Sequence, residues 1–334
     1  MRGCVAGAGG SGASTARVKV AVFGDMGTGT PDGTTSYGVG GLANMQWNVQ
    51  VPAINTTVML GQFLDAGEAE RRAADARAAG IASPGGAAGD GAPPTGLDLV
   101  LHIGDISYAV GYLSDWDAFL DQIEPVASRV PWMVGVGNHE RDFPDSGSSY
   151  NHSDSGGECG VPTLAYFRGM PWPTPKPDPR ANKGPGDAPW YSFDYGPIHF
   201  TVMSTEHAYA PGSAQHEWLK QDLLGGGHDD GALDKAKTPF CVFTGHRPMY
   251  INTTWPPDLA DTAAMRAALE PLLLEAGVDL AFWGHHHSYQ RTCATFNLTC
   301  RAAPVHMVVG TGGGALMSNF PPDELRTPWL DVLD

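Results

Sequence analysis

Five apolar runs in this sequence each end in glycine followed by a side chain that can bind a metal ion or move a proton. The five junctions are Gly24-Asp25, Gly104-Asp105, Gly137-Asn138-His139-Glu140, Gly245-His246 and Gly284-His285-His286-His287. Carboxylates suit hard cations, whereas imidazoles suit zinc, iron and manganese. These donors are too many for one octahedral ion. They predict a two-metal site, bridged by one carboxylate, of the kind that clamps an in-line displacement.

The runs before these junctions are short and almost continuously apolar, which is typical of strands buried on both faces. Seven such runs are present, at 18–24, 97–104, 130–137, 198–204, 239–245, 278–284 and 305–312. Helical patterns occupy 114–129, 213–224 and 262–276, and Ser114 is the predicted N-cap of the first. Strands that alternate with helices predict a layered α/β domain. Ligands in such sheets gather beyond the carboxyl ends of the strands, so we expect the junctions to meet there.

Length and charge narrow the class of protein. The chain has 334 residues and a formal net charge of -16. An acidic surface repels polyanions, which argues against nucleic acid as a partner. No apolar run reaches the length of a membrane span. Residues 1–17 lack the apolar segment of a signal peptide and are interpreted as a flexible leader or a truncated N-terminus, followed by a single catalytic domain at 18–334.

The cysteines and the glycosylation sequons indicate in which cellular compartment the protein folds. Cys293 and Cys300 flank the segment ATFNLT and are placed to close a hairpin as a disulfide. Four Asn-x-Ser/Thr sequons are candidate glycosylation sites, at Asn55, Asn151, Asn252 and Asn297. Together they favour a secreted glycoprotein. The alternative, unused sequons and reduced cysteines, stays open.

The junctions and Tyr108 together resemble the five sequence blocks of the purple acid phosphatases, a branch of the calcineurin-like metallophosphoesterases. The resemblance runs from Val18 to Gly314, and the phrases GHRPMY and GHHHSYQRT are similar to the large plant-type members. It implies a four-layer α-β-β-α sandwich with ligands on the loops after the strands. Because Val18 already starts the first catalytic strand, we expect the N-terminal β-sandwich domain of plant-type relatives to be absent. The relatives are often dimers, and the oligomeric state here stays open, a homodimer included.

The resemblance also implies a division of the metal ligands. Fe(III) would be held by Asp25, Tyr108 and His287, and Asp105 would bridge the two ions. A divalent ion, zinc, manganese or iron, would be held by Asn138, His246 and His285. In the wider superfamily a histidine ligand stands where this chain has Gly27, and Tyr108 would replace it. A phenolate is a hard anionic donor that favours Fe(III). The alternative is that Tyr108 is an aromatic packed beside Tyr112.

By the same resemblance, the protein is predicted to be a secreted or vacuolar acid phosphatase. It would hydrolyse small phosphate monoesters, with phytate or nucleotide phosphates as candidates, by metal-hydroxide attack with His139 as general acid. Two histidines that contact phosphate in some plant members are missing from the segment INTTWPPDLADT, so Arg247 and Tyr250 are the candidate substrate contacts. The alternatives are a phosphodiesterase of the same superfamily and a catalytically silent metal-binding protein.

Overall fold

The computed structural model describes residues 17–29, 52–78, 96–172, 188–225, 232–322 and 327–333. The predicted leader, apart from Arg17, lies outside the described residues. Within them, ten strands form two sheets.

The smaller sheet is parallel, has the strand order β1-β2-β3, and consists of Val20–Phe23 (β1), Leu99–Ile103 (β2) and Trp132–Gly135 (β3). The larger sheet has seven strands: Tyr191–Tyr195 (β4), Ile198–Val202 (β5), Phe240–Gly245 (β6), Leu280–Trp283 (β7), Tyr289–Phe296 (β8), Thr299–Val309 (β9) and Leu330–Leu333 (β10). Their order in the sheet is β10-β8-β9-β7-β6-β5-β4. Six of the seven predicted runs each contain one strand, and the seventh, 305–312, overlaps the end of β9, which already begins at Thr299. The unpredicted strands β4, β8 and β10 pair antiparallel with their neighbours.

Helices cover the outer face of each sheet. Helices α1 (Pro52–Ala78) and α2 (Leu113–Ala127) share a hydrophobic core with the smaller sheet. Helices α5 (Ala214–Leu224) and α6 (Pro256–Ala276) share one with the larger sheet, and two short helices, α3 (Asn138–Arg141) and α4 (Val161–Tyr166), lie in loops. A third core fills the space between the sheets. The expected four-layer α-β-β-α sandwich is confirmed.

Strand β2 shows why the buried runs are continuously apolar. Side chains alternate between the two faces of a strand. Leu99, Leu101 and Ile103 enter the core between the sheets, whereas Val100 enters the core beneath α1 and α2. Both faces are therefore removed from water, and neither allows a polar alternation.

Two helix starts differ from the prediction. Helix α2 begins at Leu113 with Tyr112 as its N-cap, so Ser114 lies inside the first turn. The reason is a tight turn, closed by the Tyr112 amide donating to Ala109 O at 2.9 Å, which leads the chain directly into the helix. Helix α6 begins at Pro256, ahead of the predicted 262, because proline suits the first turn, where its missing N–H costs nothing.

The disulfide prediction is confirmed, and one sequon is corrected. Cys293 on β8 and Cys300 on β9 are joined. The sequons at Asn55, Asn151 and Asn297 are exposed, but Asn252 is 2% exposed. A glycan on Asn252 has no space in the folded chain, because the residue is buried beside Gln290, whose Oε1 accepts from the backbone N–H of Asn252 at 2.7 Å, and its side-chain Nδ2 is itself buried. No helix among the described residues is long and apolar enough to cross a membrane.

Candidate metal centre

The five junctions meet between the two sheets, beyond the ends of β1, β2, β3, β6 and β7. Backbone hydrogen bonds connect them directly. The Asp25 amide donates to Gly104 O at 3.1 Å, and the Gly284 amide donates to His246 O at 2.8 Å. Residues more than 250 positions apart in sequence, such as Asp25 and His285, are in contact here, with the His285 amide donating to Asp25 Oδ2 at 2.9 Å.

Three of the predicted ligands converge on one point, and we call Asp25, Tyr108 and His287 the first donor group. The phenol oxygen of Tyr108 lies 2.9 Å from His287 Nε2 and 3.3 Å from Asp25 Oδ1. His287 Nε2 lies 3.3 Å from the same Asp25 oxygen. Its Nδ1 faces Ala315 O at 2.9 Å. A carbonyl can only accept, so Nδ1 carries the proton and Nε2 presents its lone pair to the group.

Three further ligands converge nearby, and Asn138, His246 and His285 form the second donor group. Asn138 Oδ1 lies 3.0 Å from His246 Nε2 and 2.9 Å from His285 Nδ1. His246 Nδ1 faces Ile103 O at 3.0 Å, which again leaves Nε2 for a cation. Asp105 Oδ1 lies 3.2 Å from His246 Nε2. The ligand atoms of Asp105, His246 and His285 all lie within 4.8 Å of one another.

The acidic groups at the centre are buried, and buried acidic groups require a positive partner. Asp25, Asp105 and Tyr108 are at most 2% exposed. Burial raises the pKa of the Tyr108 phenol well above its usual 10.0, and Asp105 and Asp25 raise it further. Uncompensated anions are costly in such an interior. Metal cations would supply the missing positive charge and would stabilise Tyr108 as phenolate, so the donor set fits the implied ions.

His246 and Asp105 are strongly coupled electrostatically at this centre. Burial lowers the pKa of His246, but the Asp105 carboxylate outweighs burial and raises it to about 10. Burial raises the pKa of Asp105, and the positive charges of His246 and His139 outweigh it, so that this pKa lies well below 3.8. A metal ion and a proton would therefore compete for Nε2 of His246.

Backbone strain is concentrated in the same place. Asp25, Asp105, Tyr108 and His285 all have φ between 49° and 68°. This left-handed region is costly for side chains other than glycine and persists where the surrounding structure enforces it. Such clustering is typical of functional sites.

Glu140 is a site residue that the sequence analysis did not assign. Its carboxylate accepts from the amides of Asp105 and Gly137 at 2.9 Å each, and from that of Ile106 at 2.7 Å. It thus joins the loop after β2 to the loop after β3. In the sequence, the one feature that pointed to Glu140 was its place in the junction Gly137-Asn138-His139-Glu140.

The glycine-rich segment after β9 is explained by close approach to the ligands. A Cβ on Gly314 would lie 2.5 Å from the His287 ring, and one on Gly310 would lie 2.8 Å from Asp25 Oδ2. Real side chains do not tolerate these distances. The segment therefore packs on the centre as bare backbone.

A pocket of about 240 Å³ opens over the two donor groups, lined by Asp105, Asn138, His139, Asp154, His285, His287 and Met317. The His139 side chain is 17% exposed, and its Nε2 lies 3.9 Å from Asp105 Oδ2. Its ring centroid lies 4.4 Å from that of Tyr108. The exposed Tyr112 does not share the buried position of Tyr108, so the alternative of simple packing is not supported.

The two candidate substrate contacts are placed differently. The Arg247 guanidinium is 3% exposed and is bound by three carboxylates, those of Glu206, Asp142 and Asp261. Its NH1 lies 3.3 Å from His285 Nε2, behind the second donor group. Because its charge is already neutralised, Arg247 does not offer a free cation to substrate.

Tyr250 also departs from its predicted role. It is 1% exposed, donates its hydroxyl to Glu270, and packs on Trp329 and His306 in the core of the larger sheet. Its expected contact with substrate is corrected, since the phenol is directed into the core.

Comparison with known proteins agrees with this architecture. The calcineurin-like phosphoesterase family model matches residues 18–289. A protein named "Probable inactive purple acid phosphatase 27" from Arabidopsis thaliana is 34% identical over 93% of this chain and 43% of its own length. A barley (Hordeum vulgare) protein named "Nucleotide pyrophosphatase/phosphodiesterase" is 32% identical over 90% of this chain and 70% of its own.

A solved purple acid phosphatase from yellow lupin (Lupinus luteus) seeds superposes with a TM-score of 0.68 at 32% identity, over 95% of this chain and 47% of the lupin chain. The chain thus spans less than half the length of the Arabidopsis and lupin relatives. Proteins of this family use a dinuclear metal centre, and the two donor groups occur together at the matched junctions. The chain therefore belongs to the calcineurin-like phosphoesterases, in the purple acid phosphatase branch.

Proposed function

We propose that this protein is an acid phosphatase that hydrolyses small phosphate monoesters at a dinuclear centre. Fe(III) would be held by the first donor group and zinc, manganese or iron(II) by the second, with Asp105 as the bridge. The observation that supports this is the convergence of all seven donors beneath one pocket whose wall carries His139.

When bound, the two cations would supply Lewis-acid activation of the phosphate and of the attacking water. The chain's own residues have separate tasks. The carbonyls of Ile103 and Ala315 keep the protons of His246 and His287 on the nitrogens that face away from the ions. His139, on the pocket wall, donates a proton to the departing alkoxide. Its backbone is fixed because its amide donates to Asp105 Oδ1 at 3.0 Å.

Phosphate diesters are the second candidate substrate class. The barley relative carries a phosphodiesterase name. In addition, the Asp154 carboxylate lines the pocket. A nearby negative charge disfavours a dianionic monoester more than a monoanionic diester. A catalytically silent protein is the third candidate, because some relatives are named inactive. The retention of all seven donors and His139 argues against it.

Secretion to the cell exterior or the vacuole is proposed with this activity. The disulfide and three exposed sequons support an oxidising compartment. Digestion with a glycosidase and a mass shift in the native protein would test it.

The test of function combines a visible spectrum, metal analysis and kinetics on one preparation. We expect about two metals per chain and an iron-phenolate band that disappears in Tyr108→Phe. We expect His139→Ala to keep both metals and the band while kcat on p-nitrophenyl phosphate falls by about 10²–10⁴-fold. His152→Ala is the matched control, since His152 is 55% exposed and is not among the pocket-lining residues.

Three results would change the proposal. Faster turnover of bis-p-nitrophenyl phosphate than of p-nitrophenyl phosphate would favour the diester class. Two metals and activity without colour would remove Tyr108 from its role. Metal binding without hydrolysis of either ester would support the silent protein.

A further inference from the structure

We propose that Asp154 is a positioning residue that orients the amide of Asn138 and so builds the divalent half of the centre. This inference rests on the proposed metal centre. The two residues are 16 positions apart, and Asn138 Nδ2 donates to Asp154 Oδ2 at 2.9 Å.

An asparagine amide can bind a cation only through its oxygen. The NH₂ group is a donor without an available lone pair. In this structure Asn138 Oδ1 faces His246 Nε2 and His285 Nδ1, at 3.0 and 2.9 Å. A flip of the Asn138 side-chain amide about its Cβ–Cγ bond would present the NH₂ group to these two histidine nitrogens. The Asp154 carboxylate opposes the flip, because an ionised carboxylate accepts hydrogen bonds and donates none.

Two of the three histidine ligands do not depend on such a side chain, whereas His285 Nε2 meets Arg247 NH1 at 3.3 Å and Asp258 Oδ1 at 3.5 Å. His246 is oriented by the backbone carbonyl of Ile103, and His287 by that of Ala315. The hydrogen bond that orients Asn138 comes instead from a side chain, which a single substitution can remove. Asp154 is therefore a position at which one substitution can disturb the orientation of Asn138 in the second donor group.

The loop that carries Asp154 is firmly attached. The Ser155 amide donates to Asp142 O at 3.0 Å. Glu158, further along, accepts from the Gly111 amide at 2.9 Å and from Trp116 Nε1 at 3.1 Å. These contacts tie the segment DSGGE to the loop after β2 and to α2. The Asp154 carboxylate is thus held at a defined point on the pocket wall.

The expected consequence is specific to one metal. Outer partners of metal ligands typically contribute about 10–100-fold to metal affinity. We expect Asp154→Ala to weaken binding of the divalent ion by about that factor. The iron-phenolate band should stay, because Tyr108 and His287 contact each other and Asp25, whereas Asp154 binds Asn138 of the second donor group.

The experiment measures zinc affinity by equilibrium dialysis in protein that retains iron but has lost its divalent ion. We compare wild type, Asp154→Ala, Asp154→Asn and His152→Ala. His152 is the matched control, since its Nδ1 lies 3.7 Å from the same Asp154 oxygen but it does not touch Asn138. Asp154→Asn keeps an acceptor and should lose less than Asp154→Ala, and His152→Ala should match wild type.

A second background tests orientation itself. In Asn138→Asp the ligand is a carboxylate with two equivalent oxygens, so it needs no partner to select one. There, Asp154→Ala should no longer weaken zinc binding, and should strengthen it by removing a like charge. A similar loss in both backgrounds would mean that Asp154 acts on the fold and not on the amide.

The outcomes separate this inference from the proposed function. Wild type without iron or zinc would overturn the metal centre itself. Wild type with both metals, together with unchanged zinc affinity in Asp154→Ala, would overturn only the role of Asp154. Joint loss of the iron band and zinc in Asp154→Ala would also overturn it, since the effect would not be confined to the second group.

Discussion

Replacing Arg247 with methionine is expected to remove a buried cation from among three acidic side chains. The Arg247 Nε atom lies 3.1 Å from both carboxylate oxygens of Glu206. NH2 donates to Asp142 Oδ2 at 2.9 Å, and NH1 donates to Asp261 Oδ2 at 3.2 Å. The side chains of Glu206 and Asp142 are 0% exposed, so water cannot replace the lost charge.

The magnitude follows from which charges are left behind. Burial and the neighbouring Glu206 raise the pKa of Asp142 to about 9, so Asp142 holds a proton at neutral pH. The pKa of Glu206 is lowered, because Arg247 outweighs burial. One fully buried carboxylate therefore loses its partner. Breaking a buried ion pair from one side costs about 3–5 kcal/mol, and we expect that loss in the free energy of unfolding.

The assay is urea unfolding followed by tryptophan fluorescence. The control is Arg129→Met, because Arg129 pairs with Asp65 and Glu68 at the surface, where water screens the charges and such pairs contribute little to stability. Adding Glu206→Gln to Arg247→Met should recover part of the stability, since the unpaired charge is then gone. A loss below about 1 kcal/mol in Arg247→Met would falsify this account of the cluster, because it would equal that of a surface pair.

Three further predictions concern the site, the disulfide and pH. Gly314→Ala should reduce metal content, since its Cβ would lie 2.5 Å from the ring of the first donor group's histidine, and metal analysis beside wild type checks this. Reducing the Cys293–Cys300 bond should lower stability by about 2–3 kcal/mol for so short a loop, and a Cys293→Ser protein that is insensitive to reductant is the control. Burial lowers the pKa of His199, but the Asp222 carboxylate outweighs burial, so that the pKa is raised above 6.5 in the folded protein. The protonated His199 therefore stabilises the fold fully below pH 6.5, and this stabilisation is lost as the pH rises through the folded-state pKa. The difference in urea midpoint between wild type and His199→Gln should therefore shrink on raising the pH, and a constant difference would contradict the assignment.

The sequence alone determined those features that are local to one segment. Continuously apolar runs located seven strands, and the glycine-donor junctions after five of them contained six of the seven proposed ligands. Tyr108 and the choice of these seven among the available donors came from resemblance to a family. The spacing of Cys293 and Cys300 predicted their bond for the same reason, since both lie in one hairpin. The order of the four layers came from resemblance to a family. Strands β4, β8 and β10 were not predicted, because edge and antiparallel strands lack the continuous run of apolar residues that marks a fully buried strand.

Tertiary structure decided everything that depends on the distance between remote segments. Arg247 was predicted to contact substrate, yet Asp142 and Glu206, which lie on other loops, bind and bury its guanidinium, and Glu206 neutralises its charge. Asn252 fits a sequon, yet neighbouring chain buries it. Asp154 carried no signal, because a hydrogen bond to Asn138 exists only once two loops have packed. The sequence determines the type of each side chain, but the segments that fold against it determine its partner, its charge state and its exposure.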